Sequence, residues 1–352
     1  MDIYEKSGYA DMAKIMALPY PFIFVVGGRG TGKTYGACKV LLDLPEEEKF
    51  LFMRRTGDEA ELISSMDFSP FKPVINDAPD IYPPMVTGNI QRVKGITAAW
   101  RAEPGENGVL KATGNPRGYF GALTTIYKTR GFSMEDVTIM LYDEFIPEKH
   151  VHAIRNEGDC FLNAVETVSR NRELKGKKPL KVVCLSNANK LSSPLFVSLG
   201  IMENVERMVM RNQTECFLPE RGIAILRLQD SRISQAKANT ALYKAANSKD
   251  FVDMALKNDF DSSTNLYIKR EPIEEYKIIA ALDNDVFIYR HKSAPRFYVS
   301  RHKRGTPKYN YLLDDLSVRR LKREQAVFFD AWLRGRVSFE DYYTKYMLTN
   351  CL

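Results

Sequence analysis

Near-continuous apolar runs recur through the first part of the chain, each ending in a glycine or a polar residue. Phe22–Val26, Phe50–Met53, Val137–Tyr142 and Leu180–Leu185 are of this kind. Such runs predict strands buried on both faces, as a parallel sheet requires. Helical spacing follows two of them or lies between them, over Thr34–Leu42 and Cys160–Arg172. A short helix is expected before Pro19 and Pro21, which end it. Residues 86–112 alternate apolar and polar between glycines, the pattern of a hairpin or small meander, and Gly118–Gly131 reads as a glycine-bearing connection. The expected class is α/β with a mostly parallel sheet.

The pattern changes after about residue 205. Ser231–Lys257 is rich in Ala, Lys, Gln and Asn and reads as helix. Leu266–Ile268, Lys277–Leu282, Val286–Tyr289 and Phe297–Ser300 read as short strands, and Leu316–Leu333 and Phe339–Met347 as closing helices. Three parts are expected: residues 1–205, a helical linker over 206–265, and a smaller α+β domain over 266–352. A length of 352 residues, 44% hydrophobic and 27% charged, suits a globular protein with a substantial core. No apolar run approaches a membrane span, and the N-terminus does not read as a secretory leader. The five cysteines are scattered, without a C-x-x-C pair, and the four histidines add no metal-ligand spacing, so the reading is of reduced thiols in a cytoplasmic protein. Of the net charge of +7, +6 falls between Leu266 and the C-terminus, where seventeen Lys and Arg face eleven Asp and Glu. That balance points to a polyanionic partner or to a basic solvated surface.

The first strand runs into Gly27-Gly28-Arg29-Gly30-Thr31-Gly32-Lys33-Thr34, a complete G-x-x-x-x-G-K-[ST] loop. Its glycines let backbone N–H groups turn toward phosphates, Lys33 suits the β- and γ-phosphates, and Thr34 suits Mg²⁺, so ATP with Mg²⁺ is the expected ligand pair. Arg29 adds a cation within the loop, and Tyr20 is a candidate contact for the base. The strand Val137–Tyr142 ends in Asp143-Glu144. Asp143 is expected to hold the metal as a Walker B carboxylate, and Glu144 to orient or deprotonate a water, which points to hydrolysis and not binding alone. Asn187, at the end of the next strand, suits a γ-phosphate sensor, against the plainer role of a turn residue. Arg170 and Arg172 are candidate arginine fingers, against the plainer reading of solvated surface arginines.

Together, Val26–Thr34, Phe52-Met-Arg-Arg, Leu141-Tyr-Asp-Glu-Phe-Ile-Pro-Glu-Lys, Thr167-Val-Ser-Arg-Asn-Arg-Glu and Cys184-Leu-Ser-Asn-Ala give the chain a family likeness. It resembles the DNA-packaging ATPases, or encapsidation proteins, of phi-29-like bacteriophages, most clearly over residues 20–200. The resemblance implies a P-loop ATPase of the additional-strand, catalytic-glutamate group (RecA-like), with a C-terminal domain like an RNase H-type nuclease that has lost cleavage chemistry. It implies a homopentameric ring in the infected cell's cytoplasm, docked transiently at a procapsid portal and moving double-stranded DNA; whether a structural RNA is a further partner stays open. By motif position Arg170 matches the trans-acting finger better than Arg172. Thr56-Gly57 departs from the family, whose members can carry a further basic residue there.

Such a motor grips phosphates and not bases. Lys128 and Arg130 are the first candidates for DNA contact, then Arg92 and Lys94. In the C-terminal part Arg301, Lys303, Arg304 and Lys308 form a basic loop beside Tyr309 and Tyr311. The alternatives are a terminase large subunit with an active nuclease, built on Asp283, Asp285, Asp314 and Asp315, and an ATP-gated DNA-binding scaffold.

Overall fold

The computed structural model describes residues 3–90, 95–126, 134–147, 154, 156–187, 193–229, 232–237, 240–245 and 267–349. The chain divides into two compact units, Met1–Phe260 and Asp261–Leu352.

The strands of the first unit are β1 (Phe22–Gly27), β2 (Lys49–Arg54), β3 (Met85–Asn89), β4 (Ile96–Pro104), β5 (Leu110–Ala122), β6 (Val137–Asp143), β7 (Lys181–Ser186), β8 (Glu215–Leu218) and β9 (Ile223–Leu228). They form one sheet in the order β3-β4-β5-β2-β6-β7-β1-β9-β8. The ladders from β5 through β2, β6, β7 and β1 to β9 are all parallel, and β3, β4 and β8 close the two edges antiparallel. The expected mostly parallel sheet is therefore present. The apolar runs sit at its centre: Phe24, Val25, Phe50, Phe52, Leu141 and Leu185 have no solvent exposure. The helices of this unit are α1 (Met12–Met16), α2 (Lys33–Leu42), α3 (Gly57–Ser64), α4 (Lys72–Asp77), α5 (Glu157–Ser169), α6 (Pro194–Ser198), α7 (Met202–Met210), α8 (Arg232–Lys237) and α9 (Ala241–Ala245).

Three features differ from the sequence reading. Much of Gly118–Gly131 is not a connection: residues up to Ala122 belong to β5, and the glycines serve close packing, since a Cβ on Gly118 would lie 2.5 Å from the Phe50 ring. The change of pattern at residue 205 falls inside α7, and the sheet continues beyond it through β8 and β9. Tyr20 stacks on Phe217 of β8, ring centroids 5.4 Å apart, just before β1 and therefore at the opposite strand end from the phosphate loop.

The second unit holds a sheet in the order β13-β10-β11-β12-β14, made of β10 (Tyr276–Leu282), β11 (Val286–His291), β12 (Phe297–Ser300), β13 (Tyr309–Tyr311) and β14 (Val337–Phe339). β10, β11 and β12 are an antiparallel meander, and each outer strand runs parallel to its neighbour. Helices α10 (Asp315–Glu324), α11 (Ala326–Leu333) and α12 (Tyr342–Thr349) pack on one face, with Leu321, Phe328 and Leu348 in the same core as Ile288 and Val299. The single helix expected over Leu316–Leu333 breaks at Gln325. There Tyr311 of the sheet donates to Glu324 at 2.9 Å and accepts from Gln325 at 3.2 Å, pinning the junction. Phe339 ends a strand and starts no helix, and Ile268 makes an isolated bridge to it in place of a full strand.

Candidate phosphate-binding and hydrolytic site

β1 delivers its last residue, Gly27, to the carboxyl edge of the sheet, where parallel strands leave a crevice for ligands. The loop that follows uses glycine where the backbone requires it: Gly30 and Gly32 have φ of 70° and 85°. Gly32 is also the N-cap of α2, so no side chain covers the first N–H groups of that helix. An uncapped helix start facing a cavity is an anion site. Lys33 is 6% exposed and donates to Gly27 O at 2.9 Å, Gly28 O at 2.8 Å and Thr31 Oγ1 at 3.3 Å. Burial pulls its pKa down to about 8 against the opposing pull of Asp143, and the Lys237 ammonium lowers it further.

β7 lies between β1 and β6, so the acidic pair reaches the same edge one strand away. This is the additional strand that the sequence resemblance implies. Asp143 is level with Leu185 of β7. Thr34 Oγ1 donates to Asp143 Oδ2 at 3.2 Å, and Lys33 Nζ lies 3.4 Å from Asn187 Oδ1. A cavity of about 530 Å³ is lined by Arg29–Tyr35, Asp143, Glu144, Ser186 and Asn187. Burial raises the Asp143 pKa above the usual carboxylate value, and the Arg54 charge opposes it. The sequence-predicted Gly30, Thr31, Gly32, Lys33, Thr34, Asp143, Glu144, Asn187 and Arg29 thus line one cavity.

Glu144 differs in character from Asp143. Its side chain is 58% exposed, and its φ is 60°, in the left-handed region that non-glycine residues rarely adopt. Arg54, at the end of β2, binds both carboxylates: Nη1 is 2.6 Å from Glu144 Oε2 and Nη2 is 3.4 Å from Asp143 Oδ2. Sequence reasoning placed Arg54 only within the Phe52-Met-Arg-Arg likeness and gave it no role. The signal was there only as register, since β2 pairs with β6 and Met53 lies level with Tyr142. The Arg54 Nε–H is buried and has no acceptor among the described residues. Lys237 of α8, also unassigned from sequence, donates from Nζ to Arg29 O at 2.7 Å.

The two candidate fingers separate. Arg172 is 6% exposed and its guanidinium donates to Val137 O, bracing β6 from within its own subunit. Its guanidinium is thus turned into the fold, where the sequence offered a finger or a solvated surface arginine. Arg170 is half-buried, caps α5 at φ 45°, and has no ion-pair partner among the described residues.

Lys128, Arg130, Arg92 and Lys94 lie outside the described residues. In the second unit, Arg301 stacks over the Tyr343 ring at 4.7 Å and lies 3.8 Å from Asp285. Lys303 sits over the Phe287 ring at 5.9 Å, Arg304 pairs with Glu274, and Lys308 stands over Tyr309 at 5.0 Å. Of the four carboxylates weighed for a nuclease, Asp285 and Asp314 accept hydrogen bonds nearby. Asp285 accepts from the Tyr343 hydroxyl, Asp314 N-caps α10 by accepting from Ser317 N at 2.8 Å, and Asp283 occupies a left-handed turn at φ 54°. Among the described residues no three His, Cys, Asp or Glu side chains gather where they could hold a metal.

Residues 117–316 match the family model of the podovirus DNA encapsidation protein (Gp16). The chain is 24% identical to a DNA packaging protein of Bacillus phage phi29 over 270 residues, which cover 76% of this chain and 70% of the relative. It is 25% identical to a DNA packaging protein of Bacillus phage B103 over 251 residues, 70% and 66% of the two chains. Its fold is similar to a chain of the bacteriophage Phi-29 viral genome packaging motor assembly, with a TM-score of 0.64 at 18% identity over 98% of this chain and 100% of that one. It is likewise similar to the Phi-28 gp11 DNA packaging motor, with a TM-score of 0.63 at 16% identity over 99% and 98%.

Proposed function

The chain belongs to the podovirus DNA encapsidation protein (Gp16) family, and from that premise we propose that it is the ATPase that drives viral DNA into a procapsid. The observation that carries the reading is the meeting of Lys33, Thr34, Asp143, Glu144 and Asn187 around one cavity at the ends of three adjacent parallel strands.

The residues present fit a nucleoside triphosphate. The uncapped start of α2 and the buried Lys33 ammonium bind its phosphates, and the glycines leave the loop no side chains that would fill the cradle. Thr34 and Asp143 are the residues that would hold a magnesium ion, and it would supply positive charge against the triphosphate. Glu144 accepts the proton of the attacking water, and Asn187 hydrogen-bonds that water or the γ-phosphate. The Arg54 guanidinium pairs with Glu144 Oε2 at 2.6 Å, which restrains the side chain of the proposed base. Arg170, projecting from the end of α5, supplies positive charge to the γ-phosphate of a neighbouring subunit. The protein therefore works as a homo-oligomeric ring, with five subunits and the portal as its seat. Its track is double-stranded DNA, and its place is the cytoplasm of the infected host.

The test is DNA-stimulated ATP hydrolysis by wild type and Glu144→Gln in the presence of procapsids. Binding of ATP by both, with turnover by the wild type alone, is the expected result. Equal, slow hydrolysis by the two proteins would leave a nucleotide-gated scaffold and remove the motor.

A further inference from the structure

Helix α8 brings a second ammonium group to the phosphate loop. It follows β9, whose carboxyl end lies beside that of β1, with Leu228 level with Gly27. From the last residue of α8, Lys237 reaches back and donates from Nζ to the carbonyl oxygen of Arg29 at 2.7 Å. The loop is shaped around this contact. A Cβ on Gly30 would lie 1.9 Å from Lys237 Nζ and 2.8 Å from its Cε, so the ammonium sits directly against this glycine. The course of this segment is set from the N-terminus: the Tyr4 hydroxyl donates to Gln229 O at 2.6 Å, and Gly8 lies against Arg232, whose Cβ would be 3.0 Å from an added Cβ.

A peptide group is planar and trans, so its C=O and N–H point in opposite directions. A cation held on the Arg29 carbonyl therefore fixes the Gly30 N–H on the opposite side. Gly30 also lines the cavity, and a glycine peptide is otherwise the part of such a loop freest to rotate. An anion-binding loop gains affinity when its donors are oriented before the ligand arrives.

We infer that Lys237 is a positioning residue for nucleotide binding: by holding the Arg29 carbonyl it sets the Gly30 N–H for a phosphate, and it ties the segment after β9 to occupancy of the site. Since that bond has its other end on α8, a bound triphosphate steadies residues 232–237 in return, because coupling between two sites is reciprocal. The inference rests on the ATPase reading above and deepens it.

The test compares full-length wild type, Lys237→Met, Lys237→Arg and Lys33→Ala. Affinity for a fluorescent, non-hydrolysable ATP analogue is measured together with hydrogen exchange over residues 27–34 and 232–237. The expected result is a loss of about tenfold in affinity for Lys237→Met, the scale of one charge-assisted hydrogen bond. Lys237→Arg should recover most of it, and the melting temperature should stay unchanged. Nucleotide should slow exchange over 232–237 in wild type and leave it unchanged in Lys237→Met. If wild type binds the analogue and Lys33→Ala does not, while Lys237→Met matches wild type in both affinity and exchange, the inference alone is overturned. If wild type itself binds no nucleotide, the ATPase reading falls and takes this inference with it.

Discussion

Arg54 joins the two acids of the site through one side chain. It is 14% exposed, contacts both carboxylates, and offsets the repulsion of two acids adjacent in sequence. Replacing it with Gln should free Glu144, so hydrolysis in the absence of DNA should rise and stimulation by DNA should shrink. Lowering the barrier by about 1 kcal/mol corresponds to roughly a fivefold faster basal rate. Steady-state turnover with and without DNA checks this, and an unchanged ratio would remove the restraint. The residues legible in the sequence were those whose chemistry is local: the phosphate loop, the acidic pair and Asn187 each sit within a short motif. Arg54 and Lys237 were not legible as site residues, because they arrive through space, one across a strand ladder and the other across 208 positions of chain. Arg172 misled for the same reason. Its buried bond to Val137 O is made 35 residues away and leaves no mark in the Arg-Asn-Arg spacing.

At the scale of elements, β2 and α5 are joined by a buried ion pair. Arg55 Nε and Nη2 donate to Glu157 Oε1 and Oε2 at 2.8 and 2.7 Å, both residues are 2% exposed, and the Tyr142 hydroxyl adds a bond of 3.3 Å. Removing one partner strands a charge in the core. Glu157→Ala should therefore cost about 3–5 kcal/mol, whereas the double replacement Arg55→Met with Glu157→Leu should recover most of it. Denaturant unfolding of wild type and the two variants measures the difference, and equal losses in single and double variants would count against the pairing. The central strands were readable because a strand buried on both faces is apolar throughout. β5 escaped because its first half is mostly exposed and polar, and its buried second half carries Gly118 and Gly121. The break between α10 and α11 escaped because it depends on Tyr311, a residue of β13.

At the scale of the whole molecule, the proposed ring requires that Arg170 act on a neighbour and Glu144 on its own subunit. Arg170→Ala and Glu144→Gln should each stop turnover when alone. Mixed in one ring they should recover part of it, because a junction whose Glu144 comes from the Arg170→Ala subunit and whose arginine comes from the Glu144→Gln subunit is intact. Activity measured against mixing ratio checks this, and a mixture as inert as its components would place Arg170 in cis or out of the chemistry. The alternation of buried strands and helices was enough to read the class of the first unit. The end of that unit was harder to see, since β8 and β9 follow a helix and join the sheet on the far side of β1.

Arg54 and Arg55 are neighbours in the chain, yet the first grips Glu144 and the second grips the helix that ends at Arg170. One peptide bond thus serves as a fulcrum with a charged arm on either side. In the proposed ring the pocket and the arginine offered to the next subunit would be separated by that single backbone link.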